Sequence, residues 1–431
     1  MRWAVSRALG AIALLLVRAF FRRVEVVGDD QLPERRPMLV VSNHFNGFVD
    51  PVVLAAALGR APRFIAKATL GKLWPLRIVL RFVGVVLVRR PEDQQEGDNV
   101  SAFEECHHAL RHGATIAIFP EGTTHDRPQL ARLRTGAARI ALGARASGVS
   151  GICIVPVGLS FPDKIALRSS VLVRVAAPID LDARYADVAS EDDQEAVRTL
   201  TDEIDAELRA VSPDFVDVEE WWSLDRAAEV AVRTPEHEPT LLERAEVSDG
   251  LGRAPEPSRS EVRRRIADYV FALHLFGLRD RDVVATETPA KLLRSALWAA
   301  LIVALLGPLA LAGAAVNLIP ALLVGGVGLA VRAPVTKGTV RLLVALVAFP
   351  TAWGIAATQL ADGWAIAGWI VVYAASVYAA VIVIERGLAL VHQALAWRAA
   401  RERVSFLEPL REHRRDVVKT VVEELGAASS D

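Results

Sequence analysis

The stretch MLVVSNHFNGFVD, residues 38–50, joins an apolar run to a polar turn. The apolar residues predict a strand, and His44, Gly47 and Asp50 follow it closely. An imidazole is the side chain best suited to take a proton near neutral pH, and a carboxylate partner fixes its tautomer. We therefore treat His44 as a candidate general base and Asp50 as its partner. Taken alone, such a pair is also a common turn or cap feature.

The sequence around this stretch alternates short β-rich apolar runs with helical patterns, from residue 37 to residue 180. This alternation predicts an α/β domain. Helical patterns occupy residues 100–111, 135–147 and 191–210. We expect strands at residues 38–42, 63–66, 84–88, 115–119, 152–159 and 170–175.

Charged residues follow several of these strands. Glu121 and Gly122 lie in the FPEGT sequence after the strand at 115–119, Arg90 follows the strand at 84–88, and Arg134 precedes a helix. Ligands of open α/β sheets collect at strand ends, and helix N-termini favour anions. Several cations close to one base indicate a phosphorylated substrate. Individually, Glu121 could instead be a turn residue and the arginines a solvated rim.

Four sequence blocks give the chain its resemblance to the glycerophospholipid acyltransferase family. In order they are Asn43-His44 with Asp50, residues 84–90, residues 119–123 and residues 154–157. The gap between His44 and Asp50 is five residues where the family has four, so a turn has to bring them together, and Gly47 makes the longer turn tolerable.

The longer turn also resembles the fungal-type glycerol-3-phosphate/dihydroxyacetone-phosphate acyltransferase subgroup. The chain is similar to that subgroup in its extended third block, which contains His125, Asp126 and Pro128. Further similarities are residues 155–179, with Arg168 and Ser169, and an Asn-x-x-Pro sequence at residues 317–320 of a C-terminal membrane region.

The resemblance implies an α/β acyltransferase domain, a mixed sheet flanked by helices, that transfers an acyl group without an acyl-enzyme. His44 would deprotonate the acceptor hydroxyl, Asp50 would orient His44, and turn amides would receive the oxyanion. Acyl-CoA or acyl carrier protein would be the co-substrate, with no metal or bound cofactor. The leading acceptor is glycerol-3-phosphate or dihydroxyacetone phosphate, and lysophosphatidate is the alternative. The expected substrate-binding residues are Asn43, Arg90, Glu121, Gly122, Thr123 and Arg134.

Two other classes of function remain open at this point. A thioesterase or other hydrolase would use water and would need no cluster of cations. A non-catalytic membrane protein derived from an enzyme would be expected to lack the histidine or the Glu-Gly pair, and both are present.

The amino-acid composition bears on which partners and which cysteine chemistry we expect. The chain has 431 residues, of which 52% are hydrophobic. Its 50 basic residues nearly balance 51 acidic ones, so we expect no nucleic-acid partner. Cys106 and Cys153 are too few for a disulfide framework and do not have the spacing of metal ligands, so we expect two buried thiols.

Residues 1–28 predict an N-terminal helix associated with the membrane. An apolar stripe is interrupted by Arg18, and no small-residue cleavage site follows it, so an uncleaved amphipathic helix is favoured over a signal peptide. Membrane lipids are therefore expected partners.

The C-terminal part is predicted to be an all-α transmembrane region at residues 295–386. Long apolar segments lie at 295–331, 342–360 and 364–384, and the first contains Gly307-Pro308 and Asn317–Pro320 as expected breaks. Four passes, or a hairpin plus two, would place the Lys and Arg residues between segments on one side, which would be the cytoplasmic side. Residues 318–331 are short for a full crossing and are also compatible with re-entry.

These patterns predict the division of the chain into segments. The acyltransferase domain covers residues 29–185, with its catalytic residues on the cytoplasmic face. A helical extension (186–232), a flexible linker (233–260) and a helical segment (261–294) precede the membrane region, and a charged cytoplasmic tail (387–431) follows it.

Overall fold

The structure is a computed structural model that describes residues 2–34, 36–67, 85–88, 100–163, 166, 168–188, 190–284, 288–331, 333–402 and 404–428. The chain divides into two compact units, Met1–Val216 and Asp217–Asp431. The first contains the sheet, and the second is helical in its described part.

A mixed eight-stranded sheet forms the centre of the first unit. The strands are β1 (Arg23–Val27), β2 (Met38–Ser42), β3 (Arg63–Lys67), β4 (Val86–Val88), β5 (Thr115–Ile118), β6 (Cys153–Ser160), β7 (Ser170–Val175) and β8 (Ile179–Asp180). Their order is β1-β7-β6-β2-β5-β3-β4, and β8 pairs with β6. β2 is parallel to both β5 and β6, whereas β7 and β8 run antiparallel to β6. This confirms the predicted fold class.

Helices cover this sheet. They are α1 (Arg2–Phe20), α2 (Val49–Ala57), α3 (Val100–Arg111), α4 (Gly136–Ala146), α5 (Leu181–Arg184) and α6 (Gln194–Val211). Every residue of β2 and β6 is buried, as expected of strands covered on both faces. At Gly158 a Cβ atom would lie 1.8 Å from the carbonyl oxygen of Val211, so the end of α6 approaches β6 more closely than a side chain allows.

Two strands were not predicted from the sequence. β1 follows α1 directly and pairs in parallel with β7, and the short β8 pairs with β6. The predicted boundary at residue 28 is therefore wrong, because β1 belongs to the sheet and the α/β domain begins at Arg23. The other predicted strands agree with the structure to within about two residues at each end, although Gly84 lies outside the described residues.

Helix α1 packs against α2. Gly10 allows this approach, because a Cβ atom there would lie 2.6 Å from the backbone of Gly59 and Arg60. The guanidinium of Arg168 donates to the carbonyls of Ala19 and Phe21 at the end of the helix. Ile12 and Leu15 of α1 are more than half exposed. The association of this helix with the membrane stays a prediction.

The second unit begins with a helical bundle. Its helices are α7 (Val218–Val232), α8 (Leu241–Arg253), α9 (Glu256–Phe276) and α10 (Asp280–Val284). The expected flexible linker at 233–260 is wrong. Thr240 and Glu243 form a capping box that starts α8, and Arg244 of α8 pairs with the buried Asp225 of α7. Pro255 and Pro257 of this stretch lie at the start of α9, where proline is tolerated.

The expected charged tail is also ordered. Helix α14 (Val404–Ala428) packs against α7, α8 and α9. Arg414 donates to the carbonyls of Val230 and Arg233 at the end of α7 and to the buried carboxylate of Asp280. Tyr269 also donates to Asp280, and burial beside this carboxylate raises the pKa of its hydroxyl.

Three further helices are long and apolar enough to cross a membrane: α11 (Pro289–Ala330), α12 (Pro334–Leu360) and α13 (Ala365–Glu402). The predicted breaks within the first segment are wrong, because Pro308 and Pro320 both lie inside α11. A proline bends a membrane helix without ending it when its neighbours satisfy the freed backbone groups. Asn317 lies in this region, accepting from Trp353 of α12 and donating to Ser376 of α13.

Candidate active site

The site lies at the carboxyl ends of β2, β5 and β6. After β2 the chain turns through residues 43–48 and enters α2, whose first turn contains Asp50. The Nδ1 atom of His44 lies 2.9 Å from Oδ2 of Asp50, and the amide of Asn46 donates to the same oxygen at 2.7 Å. The five-residue gap is therefore compatible with a direct pair, because the turn folds back over the start of the helix.

The pair defines the tautomer of His44. A carboxylate oxygen only accepts, so Nδ1 carries the hydrogen and the Nε2 lone pair is left to accept a proton. Asp50 is fully buried, and the His44 side chain is 16% exposed. The imidazole also stacks on Phe119, with ring centroids 4.0 Å apart. The ring of His44 is thus fixed by a hydrogen bond at one atom and by stacking on one face.

The backbone of His44 is held by the loop that follows β5. The amide of His44 donates to Oε1 of Glu121 at 2.7 Å, and the amide of His125 lies 3.4 Å from the carbonyl oxygen of His44. Both backbone polar groups of the candidate base therefore have partners in one neighbouring loop.

The carboxylate of Glu121 has several partners within the fold. Its side chain is fully buried, and Oε2 accepts from the amide of Ala131 at 2.8 Å and contacts Nε2 of His125. With Oε1 on His44, the carboxylate is used within the fold. Binding of acceptor hydroxyls by Glu121 stays a prediction.

Asn43 is likewise occupied. Its side-chain amide donates to the carbonyl oxygen of Leu159 at 2.8 Å, and its oxygen accepts from the amide of Leu159 at 2.7 Å. Asn43 is completely buried. These contacts tie the end of β2 to β6, and the substrate contact of Asn43 stays a prediction.

Gly122 and Arg134 lie together beside this loop. Gly122 has φ +69°, and a Cβ atom there would lie 2.7 Å from Nε of Arg134. The exposed Arg134 side chain therefore lies directly over the backbone of Gly122, and any larger residue at position 122 would collide with it. Thr123 is exposed in the same loop, whereas Arg90 lies outside the described residues.

Two contributors were not identified from the sequence as site residues. Phe119 was read only as the end of a strand, and His125 only as part of a similar block. The sequence signal that could have identified them is their distance from Glu121, which is two positions for Phe119 and four for His125. Both cysteines are buried, and burial raises the pKa of Cys106 to about 12 and that of Cys153 to about 11, so neither is an activated thiol.

Comparison with known proteins shows that part of the chain is similar to acyltransferases. Residues 23–160 match the acyltransferase family model. The chain is 28% identical over 196 residues to glycerol-3-phosphate O-acyltransferase 2 of Saccharomyces cerevisiae, covering 44% of this chain and 26% of that protein. It is 28% identical over 146 residues to the chloroplastic 1-acyl-sn-glycerol-3-phosphate acyltransferase LPAT1 of Arabidopsis thaliana, covering 34% and 38% respectively.

Among solved structures, the 1-acyl-sn-glycerophosphate acyltransferase PlsC of Thermotoga maritima matches with a TM-score of 0.36 and 21% identity, over 48% of this chain and 77% of that one. The chain spans well under half the length of the two curated relatives above.

The Asn43 contacts give a first prediction. Asn43→Asp places a carboxylate oxygen against the carbonyl oxygen of Leu159, so it should destabilise the protein more than Asn43→Ala, which leaves two backbone groups unpaired. We expect losses of about 2–5 kcal/mol, since each buried unpaired group costs about 1–3 kcal/mol. Thermal unfolding in detergent measures the order of the two variants. Equal melting temperatures for wild type and Asn43→Asp would contradict it.

Proposed function

Because residues 23–160 form an acyltransferase-family domain, we propose that the protein is an O-acyltransferase that acylates the hydroxyl of a glycerol phosphate-type acceptor in phospholipid synthesis. The observation that carries the proposal is the 2.9 Å contact between His44 and the buried Asp50, which leaves Nε2 of His44 as a proton acceptor.

The proposed mechanism needs only groups of this chain. His44 takes the proton of the acceptor hydroxyl through Nε2, and the buried Asp50 supports the resulting imidazolium. The acceptor oxygen attacks the thioester carbonyl of acyl-CoA or of acyl carrier protein, and backbone amides of the turn receive the negative charge on the carbonyl oxygen. Collapse of the resulting tetrahedral intermediate breaks the carbon–sulfur bond and expels the thiolate, which takes up the proton held by His44 and leaves the base neutral again. The mechanism uses no metal and no bound cofactor.

Glycerol-3-phosphate is the acceptor that we favour, with dihydroxyacetone phosphate as its close analogue. The support is the longer turn between His44 and Asp50 and the basic residue at Arg134, together with the similarity to a protein named as a glycerol-3-phosphate O-acyltransferase. Lysophosphatidate is the second candidate, since another relative is named as a 1-acyl-sn-glycerol-3-phosphate acyltransferase.

The base gives the decisive test. His44→Ala should lower the rate of acyl transfer about 10²- to 10⁴-fold, the usual contribution of a general base. Asp50→Asn should also be severe, because Asp50 holds both the ring of His44 and the amide of Asn46. Purified protein, labelled acyl-CoA and each acceptor measure this, with the exposed His112→Ala as the matched control.

Folded His44→Ala protein with wild-type turnover would reject the mechanism. Release of free fatty acid in place of acylated acceptor by the wild type would instead indicate a thioesterase.

The acceptor site is tested at Arg134. If its guanidinium binds the phosphate, Arg134→Ala should raise the acceptor KM roughly 10- to 150-fold, since a hydrogen bond to a charged group contributes about 1.5–3 kcal/mol. The acyl-donor KM should change little, and Arg134→Lys should recover part of the loss.

The exposed Arg132→Ala is the control for Arg134. An unchanged acceptor KM in Arg134→Ala would reject the assignment. Efficient acylation of lysophosphatidate alone would move the wild-type protein to the second acylation step.

We also infer that the catalytic domain faces the cytoplasm. Arg294, Lys337 and Arg341 lie near the starts of α11 and α12, and Arg386 follows the apolar stretch of α13, so the positive-inside rule applies to them. The docking of α14 on α7 and α9 supports an even number of crossings, since it keeps both ends of the membrane region on one side. Helix α11, at 42 residues, would be about 63 Å long if straight, roughly twice the apolar thickness of a bilayer. An even number of crossings requires α11 to enter and leave the membrane on one side, with its reversal at Asn317–Pro320, although α11 is continuous through these residues in the structure.

Cysteine labelling tests this topology, and the two native cysteines are buried. A single cysteine in place of Asp362 should react with an impermeant maleimide added outside intact cells. A cysteine in place of Lys337 should react only after permeabilisation. Labelling of the Lys337 position from outside would contradict the even number of crossings.

A further inference from the structure

His125 is the second histidine of the site, and each of its ring nitrogens has a partner. Nε2 contacts Oε2 of Glu121, and Nδ1 lies 3.1 Å from the carbonyl oxygen of Arg127. The ring also packs edge-on against Phe45, with centroids 5.5 Å apart. Its side chain is 17% exposed, much like that of His44.

The partners of His125 limit the role of its ring. A carboxylate and a backbone carbonyl both offer acceptor oxygens, so the ring serves as a hydrogen-bond donor toward the buried carboxylate of Glu121. A buried carboxylate without such a partner is strongly disfavoured.

The same two residues hold the backbone of His44. Glu121 accepts its amide hydrogen, and the amide of His125 faces its carbonyl oxygen. The orientation of the candidate base thus depends on a carboxylate whose own position depends on His125. Asp50 and Phe119, by contrast, hold the ring of His44 and not its backbone.

We propose that His125 is a positioning residue for the transfer reaction: its ring anchors Glu121, and Glu121 in turn fixes the backbone from which His44 reaches the acceptor hydroxyl. The proposal rests on the acyltransferase function proposed above and adds to it a residue that acts through Glu121 without contacting substrate.

The test compares His125→Ala with His125→Gln. Loss of the anchor should lower kcat about 10- to 100-fold in His125→Ala, because small misplacements of a catalytic group have effects of this size. The KM values for both substrates should stay within about threefold. His125→Gln keeps a donor near the position of Nε2 and should recover at least half of the lost factor on a logarithmic scale. His112→Ala is the matched control.

A coupling measurement separates positioning from a general loss of structure. If His125 acts through Glu121, the double variant Glu121→Gln/His125→Ala should be no slower than Glu121→Gln alone. Additive losses, no recovery with glutamine, or wild-type kcat in His125→Ala would each overturn the proposal.

The wild type distinguishes the two levels of inference. A wild-type protein that transfers no acyl group to any acceptor contradicts the proposed function. An active wild type with an unaffected His125→Ala variant contradicts only the positioning role.

Discussion

Strand β2 lies between β5 and β6, and all three run parallel, so their carboxyl ends reach the same edge of the sheet. The site depends on this arrangement. The turn after β2 carries His44, the loop after β5 carries Glu121, and the end of β6 supplies the backbone that Asn43 binds. Segments far apart in the chain are therefore neighbours at one point. A small change in the register of β2 would separate the base from the groups that orient it.

A buried carboxylate organises this edge. Removing a carboxylate from water costs several kcal/mol unless donors surround it, and Glu121 is satisfied by the amides of His44 and Ala131 and by the ring of His125. The loop is held around Glu121, and the orientation of His44 is a consequence. The ring of His125 contacts the same carboxylate, and Phe119 stacks on the ring of His44, so the contacts that stabilise the loop also orient the base.

In the second unit a buried carboxylate likewise holds separate helices together. Asp280 is buried and accepts from Arg233, Tyr269 and Arg414, which come from α7, α9 and α14. Because Arg414 also binds carbonyls at the end of α7, the C-terminal helix is held against the bundle that precedes the membrane helices. Within the membrane helices, Asn317 plays a comparable part through neutral hydrogen bonds to α12 and α13, as suits a medium in which charges are costly.

The sequence by itself determined the elements whose signal is local. The periodicity of apolar residues located the sheet domain and the membrane helices, and the motifs around His44 and Glu121 indicated the chemistry. Only the tertiary structure decided what each polar side chain contacts. Asn43 and Glu121 resemble substrate ligands in the sequence but bind backbone groups, since their partners come from β6 and from the turn after β2. The helices within 233–260 were missed for the same reason, because one of the charge pairs that hold them joins two helices, Asp225 of α7 and Arg244 of α8. The packing of α14 likewise depends on a partner distant in the chain, since Arg414 pairs with Asp280.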